Sequence, residues 1–275
     1  MIKRFYLREK REFSMISPLM AIFMVLALIF LALPVLFTIL YSFNDSAYFA
    51  FNFSNLSFKW YLNFFSIDYF QHAIIVSLGL AAVIIPLTTL IGMGAAYALV
   101  RGEFRGAAVL NAFVLSPIVI PGVVTGIALM TFFGIIGFHW SFGELVLALT
   151  ITTVAYPIRT ITANLHGLNA NAEEAAINLG ANRWTTFWKV IFPQIGPGIL
   201  SGCIFIFTMV IEDVSIVIFL VDMNTNTLAI EAMNYMRTMD DPTIAAMSTM
   251  LILLTLVMAW VIERFIGIGR FLSLD

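Results

Sequence analysis

Charge is what this sequence has least of. Only 11% of its 275 residues are Asp, Glu, Lys or Arg, against about 25% in ordinary soluble domains, which excludes a water-soluble surface around the whole chain. Cysteine occurs once, at Cys203 inside an apolar run, so neither a disulfide framework nor a thiolate metal site can form. The G-x-x-x-x-G-K-[ST] loop that cradles nucleotide phosphates does not occur, and no polar stretch is long enough for a nucleotide-hydrolysing domain. The three histidines, His72, His139 and His166, are isolated from one another. No Ser/His/Asp set, metal-ligand cluster or carboxylate pair on a soluble face suggests catalysis. The chain is therefore expected to catalyse nothing itself and to bind no metal, cofactor or nucleic acid.

What is present is apolar: 61% of residues are hydrophobic and the mean hydropathy is +0.99. A bilayer core needs about 20 apolar residues per helix. Six runs answer to that length: Pro18–Tyr41, His72–Val100, Ala107–Phe133, Phe142–Tyr156, Gly196–Val221 and Pro242–Ile262. The fourth is short and can extend past Pro157 if the carbonyl freed by the proline finds another partner. The first begins with basic residues, as a secretory signal does, but its apolar run is about twice a normal signal core and no small-residue cleavage site follows. It is expected to remain as an anchor. The fold class is thus all-α, a single six-helix membrane domain over 1–275.

Basic residues orient it. Twelve of the 14 Lys and Arg residues, including Lys3, Arg4, Arg8, Lys10, Arg11, Arg101, Arg105, Arg159, Arg183, Lys189, Arg264 and Arg270, fall on one side, leaving Lys59 and Arg237 on the other. The positive-inside rule then places both termini, the tail 1–17 and the polar segment 164–193 in the cytoplasm. Asp45, Asp68, Asp222, Glu231, Asp240 and Asp241 gather outside. They are either the complement of that rule or a mildly acidic mouth favouring cations.

The segment Glu174–Pro193 is patterned. Glu174 to Leu179 reads as a short helix with Asn171 three residues before Glu174, the capping-box spacing. Gly180 sits where a left-handed residue closes a helix, and Asn182 is placed to cap a second one. Trp184, Phe187, Trp188 and Ile191, at i, i+3, i+4 and i+7, make an apolar stripe, and Pro193 is expected to stop that helix. On spacing alone this could be an interfacial hairpin anchored by tryptophans.

Two features interrupt the apolar runs. Pro117 and Pro121, in Ser116–Gly122, lie four apart and release carbonyls on the preceding turns. They mark either a packed kink or a broken helix beside a solute pathway. Glu212 and Asp213 lie about eight residues, roughly 12 Å, inside the fifth run, where each charge costs about 2.5–3.5 kcal/mol. Thr208, Glu212 and Ser215 are expected to share a polar face, with Asp213 among Met209, Ile216 and Val217. The carboxylates either pair with another subunit or meet solute, Glu212 being the better solute candidate.

The spacing Glu-Ala-Ala, three residues, Gly, nine residues, Ile-x-Leu-Pro resembles the EAA loop of permease subunits of binding-protein-dependent ABC importers. Glu174, Ala175, Ala176, Gly180 and Pro193 match it, while Val190 and Phe192 replace Ile and Leu. The resemblance implies a type I importer permease, N-in and C-in, with a coupling helix between the fourth and fifth membrane helices. Glu174 would pair with a basic residue of a cytoplasmic ATPase, Ala175 and Ala176 would allow close docking, and Gly180 would make the turn. It further implies a second permease chain, usually different, two ATPase subunits carrying ATP and magnesium, and an extracytoplasmic solute-binding protein at a bacterial inner membrane. The acidic pair, Asp241–Val257 and the terminal IERFIGIGR resemble the spermidine/putrescine branch, whose relatives also serve aminoethylphosphonate, thiamine and ferric ion. A polyamine or other amine is the expected solute. An ion-gradient-driven transporter is the alternative, and internal two-fold repeats that would support it are not evident.

Overall fold

Long apolar helices form wherever no polar group has to be left in hydrocarbon, because a helix satisfies its backbone internally. The computed structural model describes residues 2–46, 56–102, 105–167 and 170–266, with side chains undescribed at 2–17, 19, 170–171, 258–259 and 261–266. Lys3, Arg4, Arg8, Lys10, Arg11 and Arg264, the capping role of Asn171, and Arg270 with most of the terminal stretch lie outside those descriptions. Among the described residues the only β pairing is an isolated bridge between Asn44 and Leu56.

The chain divides into two compact units. Met1–Phe64 with Asp240–Leu251 forms one. It holds α1 (Ile2–Ser42), most of α2 (Lys59–Ser66) and the start of α12 (Thr243–Ile266). No side chain between Met20 and Leu40 is buried, so this helix presents apolar surface on every side. Its end is fixed by polar contacts: Ser42 Oγ lies 2.7 Å from the Tyr61 hydroxyl, and the Trp60 indole donates to the Asn44 carbonyl. Asn63 reaches Thr243 Oγ1 at 2.9 Å, and Asp241 caps the start of α12 through the Thr243 N–H.

Phe65–Met239 with Ile252–Asp275 forms the other unit. Its order is α3 (Asp68–Arg101), α4 (Ala107–Val119), α5 (Gly122–Ile136), α6 (Ser141–Thr153), α7 (Ala155–Gly167), α8 (Ala170–Asn178), α9 (Arg183–Thr186), α10 (Phe192–Glu212) and α11 (Leu228–Thr238). α3, α7 and α10 pack on one another around fully buried Leu80, Ile84, Ile158, Ile161, Ile195 and Ile206. Small residues bring the backbones together, as they do between membrane helices generally. A Cβ on Gly92 would lie 2.7 Å from Pro157 Cγ, and one on Gly202 only 2.9 Å from Pro157 Cα. Pro157 is thus enclosed between α3 and α10.

Among the described residues, four helices are long and apolar enough to cross a membrane: Met20–Ser42, Asp68–Arg101, Ser141–Gly167 and Arg183–Glu212. The bent pair α4–α5 makes a fifth if it is one span. The sixth expected run is α12, whose apolar part is Thr243–Val257. Three expected runs are redrawn. The fourth continues past Pro157 to Gly167, with only a short irregularity at Val154. The third is not one straight helix, because α4 and α5 meet at 103°. The fifth ends at Glu212 rather than Val221, and a short 3-10 turn, Val217–Phe219, follows.

Several of the acidic residues expected outside organise turns. Asp222 accepts from Thr225 Oγ1 at 2.8 Å and from the Asn224 N–H at 2.9 Å. The Thr225 hydroxyl, with backbone N–H groups behind it, holds that carboxyl below the usual carboxylate range despite slight desolvation. Its contribution to the turn is present at neutral pH and is lost only as pH falls through the depressed value. Glu231 accepts from Asn226 at 2.8 Å.

Candidate functional site

The polar segment begins with α8, four residues earlier than Glu174. Its backbone is already helical at Ala170, so Asn171 stands inside the first turn. Gly180 closes the helix at φ +90°. Gly180 N–H donates to Ile177 O at 2.9 Å and Ala181 N–H to Ala176 O at 3.0 Å, the paired bonds of a Schellman motif. Asn182 then caps α9, its side chain accepting from Thr185 N at 2.8 Å. Helix, left-handed turn and capped helix form as the local residues dictate.

Pro193 does not stop the second helix. Residues 187–191 widen into a π turn, closed by Phe192 N–H donating to Phe187 O, and the helix runs on to Glu212. A proline leaves one carbonyl of the preceding turn without its backbone donor; the wider turn absorbs the mismatch, and Gln194 Nε2 donates to Val190 O at 2.6 Å. The extra residue also splits the expected apolar stripe. Ile191 is buried with Ile161, Leu165 and Ile195, and Phe187 packs against that cluster. Trp184 and Trp188 stay 71% and 41% exposed, stacked edge-on at 5.6 Å.

The two glutamates of α8 part company. Glu174 is exposed, as is Ala175, and Ala176 is half-buried. Glu173, to which the sequence assigns no role, turns back to the bundle: its Oε2 lies 3.0 Å from Arg101 Nε in an ion pair, and its Oε1 accepts from the Tyr97 hydroxyl at 3.3 Å. These residues edge a cleft of about 530 Å³ that also touches Glu174, Arg183 and Thr186.

Elsewhere in the same unit, the two interrupted helices meet. Pro117 costs α4 a backbone donor to the Phe113 carbonyl four residues before it, and Ser116 Oγ donates to that carbonyl at 2.7 Å. The chain then leaves the helix through extended Ile120 and Pro121 before α5 begins at Gly122. Gly122 and Gly126 rest on the other break: added Cβ atoms would lie 2.9 Å from Ser215 Cβ and 3.1 Å from Ile216 Cα. Neither glycine could carry a side chain without separating the two breaks.

At that second break Asp213 caps the turn, its Oδ1 accepting from Ile216 N–H at 2.8 Å. Ser215 lies beyond the end of α10, so the expected three-residue polar face is corrected to Thr208 and Glu212, one turn apart. Ser215 instead sits on the turn against Gly122. Glu212, last residue of α10, is exposed and has no hydrogen-bond or ionic partner among the described residues.

Apolar helices broken at mutually packed turns, with a polar helix-turn-helix between α7 and α10, are the frame of a membrane permease. The chain belongs to the family of binding-protein-dependent transport system inner membrane components, whose model matches residues 88–266; it is a permease subunit of an ABC importer. It is 29% identical to the spermidine/putrescine transport system permease protein PotC of Haemophilus influenzae, over 85% of this chain and 91% of that protein. It is 31% identical to the putrescine transport system permease protein PotI of Escherichia coli (strain K12), over 86% of each. Its fold matches that of a bacterial ABC transporter importing the acidic polysaccharide alginate, with a TM-score of 0.65 at 16% identity, covering 93% of this chain and 98% of the other. An amino acid ABC transporter matches at a TM-score of 0.55 and 19% identity, covering 73% and 95%. Membership in an ABC importer family sets aside the ion-gradient alternative.

Proposed function

We propose that this permease carries a polyamine or similar amine across a bacterial inner membrane, with Glu212 in the solute path. The observation that carries the solute class is the free carboxylate at the end of α10. A helix C-terminus bears about half a negative charge from its unsatisfied carbonyls, and here a full carboxylate is added to it. That pairing stabilises an ammonium group and repels an anion. Asp213 is spent on its own turn, so Glu212 is the residue left for solute. Thr208 and Ser215 flank the path with hydroxyls, and Pro117 and Pro121 open the facing helix. The polyamine names of both relatives support the same class.

In this account both termini are cytoplasmic, and α8 with Gly180 and the widened helix through Pro193 is the coupling element. Glu174, Ala175 and Ala176 face an ATPase subunit, and a second, non-identical permease chain completes the pathway. Two ATPases, holding ATP and magnesium, close against each other and rock the helices, while a binding protein delivers solute from outside. The direct test of solute class is titration of the cognate binding protein with putrescine, spermidine, aminoethylphosphonate, thiamine and ferric ion. Micromolar or tighter binding of a polyamine is expected, about 8 kcal/mol. Selective binding of any of the others overturns the assignment.

A further inference from the structure

We propose that Glu173, Arg101 and Tyr97 form the joint that carries movement of the coupling helix into the membrane bundle, with α3 as the rod. This rests on α8 being the coupling helix. No described side chain of α8 is buried, so packing into a core does not hold that helix to the bundle. Among the described residues, the polar contacts that tie it to α3 are those of the Glu173 carboxylate. Its two oxygens are divided between partners one turn apart on α3, Arg101 at 3.0 Å and Tyr97 at 3.3 Å. The Tyr97 ring in turn meets Phe187 edge-on at 5.6 Å, so the same residue touches both helices of the coupling segment.

The pair is sheltered, with 25% and 21% of the two side chains exposed, unlike the freely solvated ion pairs that contribute little. α3 then passes through the bundle, held at Gly92 against Pro157. At its other end Ser77 Oγ accepts from the buried Leu228 N–H at 2.9 Å, and Phe70 lies 5.4 Å from Tyr235. Both contacts belong to α11. From Ser77 to Arg101 is about 36 Å of helix at 1.5 Å per residue. α3 stays helical through Pro86, so a displacement of α8 through Glu173 acts on one continuous helix whose far end bears on α11. Glu174 grips the ATPase, and Glu173 beside it transmits the motion: Glu173 is turned to α3, while Glu174 is exposed and pairs with nothing among the described residues.

The test uses the whole complex in proteoliposomes, with ATP inside and putrescine with its binding protein outside, and reads putrescine moved per ATP hydrolysed. Glu173→Gln, Arg101→Gln and Tyr97→Phe are each expected to retain the ATPase on purification. The two charge-neutralising variants should lower that ratio about fivefold or more, the lower range of coupling between distant sites, and Tyr97→Phe by less. Exchanging the charges, Arg101→Glu with Glu173→Arg, should recover most of the ratio. A wild-type ratio in all three single variants, or no recovery in the exchange, overturns the joint. Failure of the coupling-helix assignment looks different: Glu174→Lys would then leave the ATPase bound. If Glu174→Lys releases the ATPase while Glu173→Gln transports normally, only the joint is wrong.

Discussion

Gly202→Leu is expected to leave almost no folded permease in the membrane. The first added carbon would lie 2.9 Å from Pro157 Cα and 3.0 Å from its Cβ. Neither atom can swing aside as the end of a flexible side chain would. Pro157 cannot retreat as a whole either, because α3 lies against its ring from the other side, so close at Gly92 that a Cβ added there would fall 2.7 Å from Pro157 Cγ. Overpacking a tight core costs about 1–3 kcal/mol and more where backbone must move, out of a total stability of about 5–15 kcal/mol. Leucine adds three further carbons to the clash. Gly196→Leu is the control: on the same helix, an added Cβ there meets nothing within 4 Å. Membrane yield and a monodisperse peak in detergent should be lost for Gly202→Leu and kept for Gly196→Leu. Equal yields would show that α7 and α10 do not meet as described.

Glu174→Lys is expected to abolish transport without harming the fold. The side chain is exposed, makes no hydrogen bond or ion pair among the described residues, and lies on a helix already closed by Gly180 and followed by the Asn182 cap. Reversal therefore leaves the bundle intact and acts only on what docks there. Losing a charge pair across an interface costs about 2–5 kcal/mol, which at 1.4 kcal/mol per decade is roughly 30-fold or more in affinity. Copurification of the ATPase should drop to background while the permease keeps its thermal stability. An ATPase bound at the wild-type ratio would remove Glu174 from the interface.

The parts of this molecule legible in its sequence are those decided within one turn of chain. Gly180 needs φ +90° and Asn182 needs a donor three residues on; both conditions are local, so spacing alone finds them. The Pro117–Pro121 interruption is legible as a choice between kink and break, but its angle depends on Ser215 and Ile216 nearly a hundred residues later. The end of α10 at Glu212 was not legible, since Val214, Ile216 and Val217 continue the apolar run with no glycine or proline to mark a stop. Only the Asp213 carboxylate, folded onto the Ile216 N–H, explains it, and an aspartate alone does not announce that role. Local rules make Pro193 a terminator; the π turn that carries the helix through depends on Ile191 and Phe187 finding α3 and α7. Glu173 differs from Glu174 only by facing Arg101, 72 positions earlier, which periodicity could not supply.

The central claim is that Glu212 is a solute carboxylate in an ATP-driven amine importer. The most direct measurement is accumulation of labelled putrescine in proteoliposomes containing the full complex, with ATP enclosed and the binding protein outside, for the native chain and for Glu212→Gln. The account predicts accumulation that requires ATP and is indifferent to proton or sodium gradients. It also predicts about a tenfold or greater loss in the glutamine variant, equivalent to some 1.4 kcal/mol, with the ATPase still bound at the native ratio. Putrescine uptake that is the same in Glu212→Gln, or that runs without ATP, would contradict it.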